Sequence, residues 1–340
     1  MYIIAEIGCN HNGDAMLAKS MVDKAKECGV DAVKFQTFDS KQLISRFAPK
    51  ADYQLETTDK AESQLEMTAK LELSHDEYME LKQYSESIGL DVFSTPFDIG
   101  SIEFLQSCGQ TVWKIPSGEI TNLPYLEAIA KVSCDNKKII LSTGMATIAE
   151  IQKAVDILES GEVADITILH CNTEYPTPDN DVNLQAILDL QANFRAYNIG
   201  LSDHSIGITA AIVAVGFGIT CIEKHFTLDK NFYGPDHKAS ITPDELSNLC
   251  TQIRRAEVML GSQCKHVTKS EHKNKLVARK SIVAKRDIKA GEVFSVDNIT
   301  TKRPGNGISP MRWYDVLGKV AQTDFCEDEL LVINEIPWDN

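Results

Sequence analysis

Two short apolar runs each end in an imidazole: Gly200-Leu201-Ser202-Asp203-His204 and Ile222-Glu223-Lys224-His225-Phe226-Thr227. Each reads as a strand that stops at polar residues. If the two are parallel neighbours, His204 and His225 emerge at one sheet edge. Two neutral imidazoles there can hold one divalent metal. Two histidines at strand ends are more often unrelated, so the reading depends on what else falls at that edge.

A good deal does. Glu6 and then Asn10-His11-Asn12-Gly13 follow the first apolar run. Lys34 and Gln36 alternate with Phe35 and therefore share one strand face. Later runs end in Ser94-Thr95-Pro96-Phe97, in Lys114 with Ser117 and Glu119, and in Ser142-Thr143-Gly144. The sixth ends in His170-Cys171-Asn172-Thr173-Glu174-Tyr175, and Asp236 follows in Gly234-Pro235-Asp236-His237. Two lysines with several hydroxyls and glycine turns suit a ligand carrying a phosphate and a carboxylate. Glu6 and Glu119 could orient hydroxyls or move protons. Taken singly, each residue has a plainer explanation. A lysine ending a strand is usually solvated or paired, and a Ser or Thr there is usually a helix cap. His170 reads as a hydrogen-bonded core histidine, His11 as a brace for its loop, and His237 equally as a partner of Asp236 or as a metal ligand. The case rests on convergence.

Convergence requires elements that deliver it. Strand-like runs at 2–7, 31–37, 90–94, 111–115, 138–142, 165–171, 198–201 and 219–224 alternate with helical patterns at 15–28, 74–87, 99–107, 123–132, 146–159, 183–193, 206–217 and 243–260. Residues 39–72 form a polar excursion with room for one or two helices. Eight β-α units in about 260 residues have the size and rhythm of a TIM barrel, an α/β fold whose active site lies at the strand C-termini. An open doubly wound sheet is the rival, but no GxGxxG follows the first strand. The domains expected are a barrel over 1–262, a polar linker over 263–278, and a small β-rich unit over 279–340. The last has β-like runs at 280–284 and 330–333, and its size is near the lower limit for an independent core.

Composition narrows the class. The chain has 34 basic against 49 acidic residues and a net charge of -15, which argues against non-specific nucleic-acid binding. Nine scattered cysteines with no CxxC pair suggest reduced thiols. No signal-peptide pattern and no apolar run of about 18 residues is present, so a cytoplasmic protein without membrane attachment is expected.

The chain resembles the sialic acid (nonulosonate) synthase family. The likeness is carried by Ile4-Ala5-Glu6-Ile7-Gly8-Cys9-Asn10-His11-Asn12-Gly13, Val33-Lys34-Phe35-Gln36-Thr37, Lys114-Ile115-Pro116-Ser117-Gly118-Glu119, Leu141-Ser142-Thr143-Gly144-Met145, Tyr175-Pro176-Thr177-Pro178 and the two histidine runs. Lys302-Arg303-Pro304-Gly305-Asn306-Gly307 is similar to the family's antifreeze-like (SAF) domain. The resemblance implies condensation of phosphoenolpyruvate with an N-acylated mannose-type sugar to a nine-carbon 2-keto acid and phosphate. It also implies a divalent metal on His204 and His225, usually Mn²⁺, with Mg²⁺ or Co²⁺ as substitutes. By the same resemblance Lys34, Thr95, Lys114, Ser117, Ser142 and Ser202 grip phosphoenolpyruvate, with either Asn172 or Thr173 beside them. Glu6, Gln36, Tyr175 and Asp236 face the sugar, and Arg303 serves it from the SAF domain in a domain-swapped homodimer. Glu6, Lys114, Glu119 and Glu223 are the candidates for catalysis. Ser94-Thr95-Pro96-Phe97-Asp98 and the Lys114–Ile120 stretch lean toward the legionaminate branch over the N-acetylneuraminate branch.

Two rival readings fit less well. A deoxy-sugar-acid phosphate synthase would need a further basic site for the sugar's phosphate, and none stands out. A carbohydrate- or ice-binding protein without catalysis would want a flat, regular face, whereas residues 279–340 are charged and broken by turns.

Overall fold

Eight strands make one parallel sheet: β1 (Tyr2–Gly8), β2 (Ala32–Thr37), β3 (Asp91–Pro96), β4 (Val112–Ile115), β5 (Lys138–Ser142), β6 (Asp165–Cys171), β7 (Asn198–Asp203) and β8 (Cys221–His225). The description comes from a computed structural model and covers residues 1–338. The hydrogen-bonded order is β3-β2-β1-β8-β7-β6-β5-β4, so the first and last strands are neighbours, as the barrel reading expects. Between β3 and β4 a side chain makes the join. Gln110 Oε1 accepts from the Ser94 N–H at 2.8 Å, and its Nε2 donates to the Ser94 carbonyl at 2.9 Å.

The interior changes character within one pleat. Ile4, Ala32, Phe93, Ile140, Leu169 and Cys221 cluster inside the barrel, with Val112 against them, and Gly200 fills the β7 position. A Cβ on Gly200 would come within 2.5 Å of the Leu169 side chain, so that layer has no room for more. Two residues further along each strand, on the same face, stand Glu6, Lys34, Thr95, Ser142, Cys171, Glu223, Lys114 and Ser202, in that order. The apolar layer is the floor, and the polar layer is the site.

The helices pack outside the strands over a continuous apolar core. Their ends are set locally. Asp14 caps Ala15–Cys28 by accepting from the Met16 and Leu17 N–H groups, and Gly29 ends it at φ 86°. Ser74 and Glu77 form the expected capping box. Two helices begin later than periodicity suggests. Ala186–Asn193 waits on Asn183 at φ 44°, and Thr209–Val215 waits on Gly207 at φ 75°. The excursion after β2 holds three short helices (Ser40–Leu43, Asp52–Thr57 and Gln64–Ala69) where one or two were expected.

The chain divides into two units, Met1–Gly261 and Ser262–Asn340. The second has its own core, including Ile282, Ile288, Phe294, Ile299, Phe325 and Leu331. Its two-stranded sheet pairs β9 (Ser281–Ala284) with β10 (Ile299–Lys302), antiparallel. This corrects the expected strand at 330–333, which contributes isolated bridges, Leu330 to Val283 and Ile333 to Ile336, in place of a strand. Thr300 and Thr301 give the partner strand its β-branched character, masked in the sequence by the turn residues that follow. The expected linker also contains a helix, His272–Ala278, started by Thr268 and Glu271 bonding reciprocally.

Candidate active site

Residues from all eight strands line a cavity of about 210 Å³. Lys34 Nζ lies 2.8 Å from Glu6 Oε2, 3.0 Å from Thr95 Oγ1 and 3.8 Å from Glu223 Oε2. Lys114 Nζ donates to Ser142 Oγ at 2.8 Å and lies 3.5 Å from Glu223 Oε1. Ser202 Oγ donates to the same Glu223 oxygen at 3.0 Å. Ser117 Oγ accepts from the Gly144 N–H at 2.9 Å. Two ammonium groups and four hydroxyls thus converge on one small volume, enough to bind a dianionic phosphate and a carboxylate.

The lysines, rather than burial, divide the two carboxylates. Burial pushes Glu6 up to about 7, against the pull of Lys34. It would raise Glu223 too, but Lys114 and Lys34 outweigh it and hold that group at about 2. Lys114 is lowered by burial. Lys34 is raised, since Glu223 and Glu6 overcome its desolvation. Glu6 can therefore hold a proton near neutrality, while Glu223 stays charged.

Gln36 donates to Glu6 Oε1 from Nε2 at 3.0 Å, and its Oε1 accepts from the Cys9 thiol at 3.1 Å. Tyr175 lies over His204, with ring centroids 4.2 Å apart, and also meets Tyr53 at 5.4 Å and His225 at 5.5 Å.

His204 and His225 end β7 and β8 with ring centroids 5.3 Å apart. His204 Nδ1 donates to the Asn172 carbonyl at 2.5 Å, which leaves Nε2 unprotonated, 3.3 Å from the Ser202 hydroxyl that donates to Glu223. Burial holds His204 down to about 4 and His225 well below the usual imidazole range. His225 Nδ1 is buried without a hydrogen-bond partner, 3.9 Å from Asp236 Oδ2. Neutral rings with an unclaimed nitrogen fit a divalent cation. Among the described residues no group of three or more His, Cys, Asp or Glu surrounds a common point. A cation held by His204 and His225 alone would keep its other positions open for water and substrate.

Glu6, Lys34, Gln36, Thr95, Lys114, Ser117, Ser142, Thr173, Tyr175, Ser202, His204, Glu223 and His225 all line the cavity. Four predicted residues do not. Glu119 is half-buried and accepts from Asn122 Nδ2. Asn172 turns its side chain to its own loop, accepting from the Glu174 N–H at 2.8 Å, while its carbonyl holds His204. Asp236 is buried beside His225, its carboxyl raised to about 6 by desolvation. Arg303 belongs to the second unit, exposed, its Nε donating to the Ala278 carbonyl at 3.2 Å. Sequence reasoning passed over Phe97, Pro116, Gly118 and Cys171 on the cavity wall and Tyr53 behind it. The period-2 pattern of β6 was the available signal for Cys171; Tyr53, alone in a polar stretch, carried none.

The family model described as the NeuB family matches residues 21–265, and the SAF domain model matches 279–336. N,N'-diacetyllegionaminic acid synthase of Campylobacter jejuni is 53% identical over 331 residues, covering 97% of this chain and 98% of the relative. The protein of the same name from Legionella pneumophila is 43% identical, covering 93% and 89%. The crystal structure of N-acetylneuraminic acid synthetase from Leptospira borgpetersenii, in complex with citrate, superposes with a TM-score of 0.71 at 34% identity, over 80% of this chain and 89% of that one.

Proposed function

Since the chain belongs to the NeuB family and carries a SAF domain, we propose that it condenses phosphoenolpyruvate with a 2-acetamido mannose-type sugar, yielding a nine-carbon 2-keto acid and phosphate. The observation that carries the reading is the convergence of Lys34 and Lys114 with hydroxyls in the cavity that His204 and His225 border. For the acceptor we propose 2,4-diacetamido-2,4,6-trideoxymannose, on the strength of the two relatives named as diacetyllegionaminic acid synthases.

In this reading Lys34 and Lys114 neutralise the phosphate and carboxylate, and Thr95, Ser117, Ser142 and Ser202 orient them. Thr173, on the wall, takes the contact left open between it and Asn172. Carbon 3 of phosphoenolpyruvate attacks the sugar's aldehyde carbon, and the oxygen there gains a proton. Glu6, beside Lys34 and able to hold a proton near neutral pH, is the donor on this chain. Water adds at carbon 2, returning one proton to Glu6, and its second proton leaves with the phosphate as the C–O bond breaks and the ketone forms. Glu223 stays ionised between the lysines, suited to orienting that water. A Mn²⁺ held by His204 and His225 would supply Lewis-acid polarisation of the aldehyde. Glu119 has no part in these steps.

The homodimer, and a role for Arg303 toward the sugar, are carried from the resemblance. Arg303 is supported by its exposure. A cytoplasmic setting is supported by nine unpaired cysteines. Among the described residues no helix is long and apolar enough to cross a membrane.

The test is phosphate release from phosphoenolpyruvate with Mn²⁺, offering N-acetylmannosamine or the diacetamido sugar, each with and without EDTA. We expect EDTA-sensitive release, faster with the diacetamido sugar. Release that ignores EDTA would remove the metal, and no release with either sugar would overturn the reaction.

A further inference from the structure

The proposed chemistry leaves one buried ion pair unused. Strand alternation puts Asp203 and Lys224 on the face of β7 and β8 turned away from Ser202 and Glu223. They are Cα partners in the β7–β8 ladder. Asp203 is 2% exposed and Lys224 0%. Their nearest outward neighbours along the strands, Leu201 and Ile222, belong to the apolar core between barrel and helices. The pair therefore interrupts a hydrophobic layer.

Its contacts are specific. Lys224 Nζ donates to Asp203 Oδ2 at 2.8 Å and to the Ser205 carbonyl at 2.5 Å. Asp203 Oδ1 accepts from the Ser205 N–H at 2.9 Å and from its hydroxyl at 2.6 Å. One ammonium, on the residue next to His225, thus grips both residues that flank His204. The Thr177 N–H adds a bond to the His204 carbonyl at 3.0 Å. Such a pair stabilises a fold poorly, because desolvation offsets its attraction and well-packed apolar substitutes are often as stable. What it supplies is register between two strand ends.

We infer that Asp203 and Lys224 are positioning residues that set the spacing and orientation of His204 and His225, and with them the metal affinity of the pair. The inference rests on the metal reading above. It predicts the size of effect seen when groups behind metal ligands are changed, about 10- to 100-fold in affinity.

The experiment is Mn²⁺ binding to the full-length, substrate-free protein, followed by the electron paramagnetic resonance signal of free Mn²⁺. The thermal shift on adding Mn²⁺ is a second readout. Asp203→Asn keeps the side chain's shape and an oxygen for Ser205. The double variant Asp203→Leu/Lys224→Met removes both charges together, so that neither is left uncompensated. His225→Ala serves as the non-binding control. The expected result is one Mn²⁺ per parent chain, lost in His225→Ala. The double variant should fold with a native circular dichroism spectrum and bind at least about tenfold more weakly. Asp203→Asn should fall between. A folded double variant that binds Mn²⁺ like the parent would overturn the inference and leave the metal reading intact. Failure of both variants to fold would assign the pair to stability and overturn it as well. A parent that binds no Mn²⁺ would remove the metal reading itself, and the inference with it.

Discussion

Lys137 and Lys114 are both buried, 1% and 3% exposed, on neighbouring stretches of one barrel. Lys137 precedes β5 at the barrel's lower end. Its ammonium donates to the Ala130 and Val132 carbonyls at 2.8 Å each and reaches the Ile129 carbonyl at 3.5 Å. Those carbonyls close the helix Leu123–Lys131, where a cation is favoured. Lys114, near the upper end of β4, has one hydroxyl at hydrogen-bond distance and a carboxylate at 3.5 Å. The contrast extends to whole edges. Below, Asp31 accepts from the Ile3 N–H and from Arg254 at 2.7 and 2.6 Å, and Tyr2 donates to Asp91 at 2.8 Å. Above, Glu223 Oε2 and His225 Nδ1 on the cavity wall are buried with no hydrogen-bond partner, as are Asn10 Oδ1 and His11 Nε2 in the loop after β1, outside that wall, and Trp113 Nε1 within β4. The lower edge spends its polar groups on the fold, and the upper edge holds them for a ligand, at a cost in stability.

The sharpest way to break that comparison is to remove both ammonium groups. Lys114→Met should lower kcat/KM by about a thousandfold, about 4 kcal/mol of transition-state stabilisation, with Tm unchanged or raised. Lys137→Met strands buried carbonyls and should cost about 2–4 kcal/mol of stability while leaving kcat unchanged well below Tm. Thermal melts and phosphate release, measured on both variants, decide it. If Lys114→Met destabilises as much as Lys137→Met, the two edges do not differ as argued.

A pH series probes the upper edge without touching the lysines. Burial holds His11 down to about 4, while its Nδ1 accepts from the Gly13 N–H at 3.0 Å. The unfolded imidazole takes up a proton near 6.5, and the folded one resists until about 4. Below 6.5 the unfolded state binds more protons, so stability falls as pH drops from about 6.5 toward 4. The loss from this one group is about 3 kcal/mol at most, and His11→Asn should remove that slope. Denaturant melts of parent and variant across the interval would measure the difference; parallel curves would mean that His11 is not held neutral by the fold.

How much of this could be read in the chain follows from the same geometry. In each of the eight strands a small or apolar residue precedes a cavity residue by two positions, as Ile4 precedes Glu6 and Cys221 precedes Glu223. Period 2 needs no tertiary information, so the polar ring was accessible from sequence. The exact ends of β7 and β8 were not: the runs were expected to stop at 201 and 224, and the strands carry on to Asp203 and His225 because the ladders hold both and the Lys224 ammonium holds Asp203. The helix His272–Ala278 was hidden by its polar composition, and β10 by the turn after it. Arg303 rests on the family resemblance alone, since nothing in its local pattern marks it.

The smallest effect tests how far the upper edge extends beyond the strand ends. The Tyr233 hydroxyl accepts from the Asp59 N–H at 2.8 Å and donates to Glu62 Oε1 at 3.3 Å, while its carbonyl accepts from Asn12 Nδ2 at 2.8 Å. It thus ties the excursion after β2 to the loop after β8, and that excursion carries Tyr53, whose ring backs Tyr175. Tyr233→Phe removes two half-exposed hydrogen bonds, worth about 1 kcal/mol together, so Tm should move little. If the excursion is part of the sugar's wall, KM for the sugar should rise about two- to fivefold with KM for phosphoenolpyruvate unchanged. Amide exchange in Asp52–Thr57 should quicken in parallel. Faster exchange with an unmoved sugar KM would confine the functional edge to the strand termini and make the excursion a cover rather than a wall.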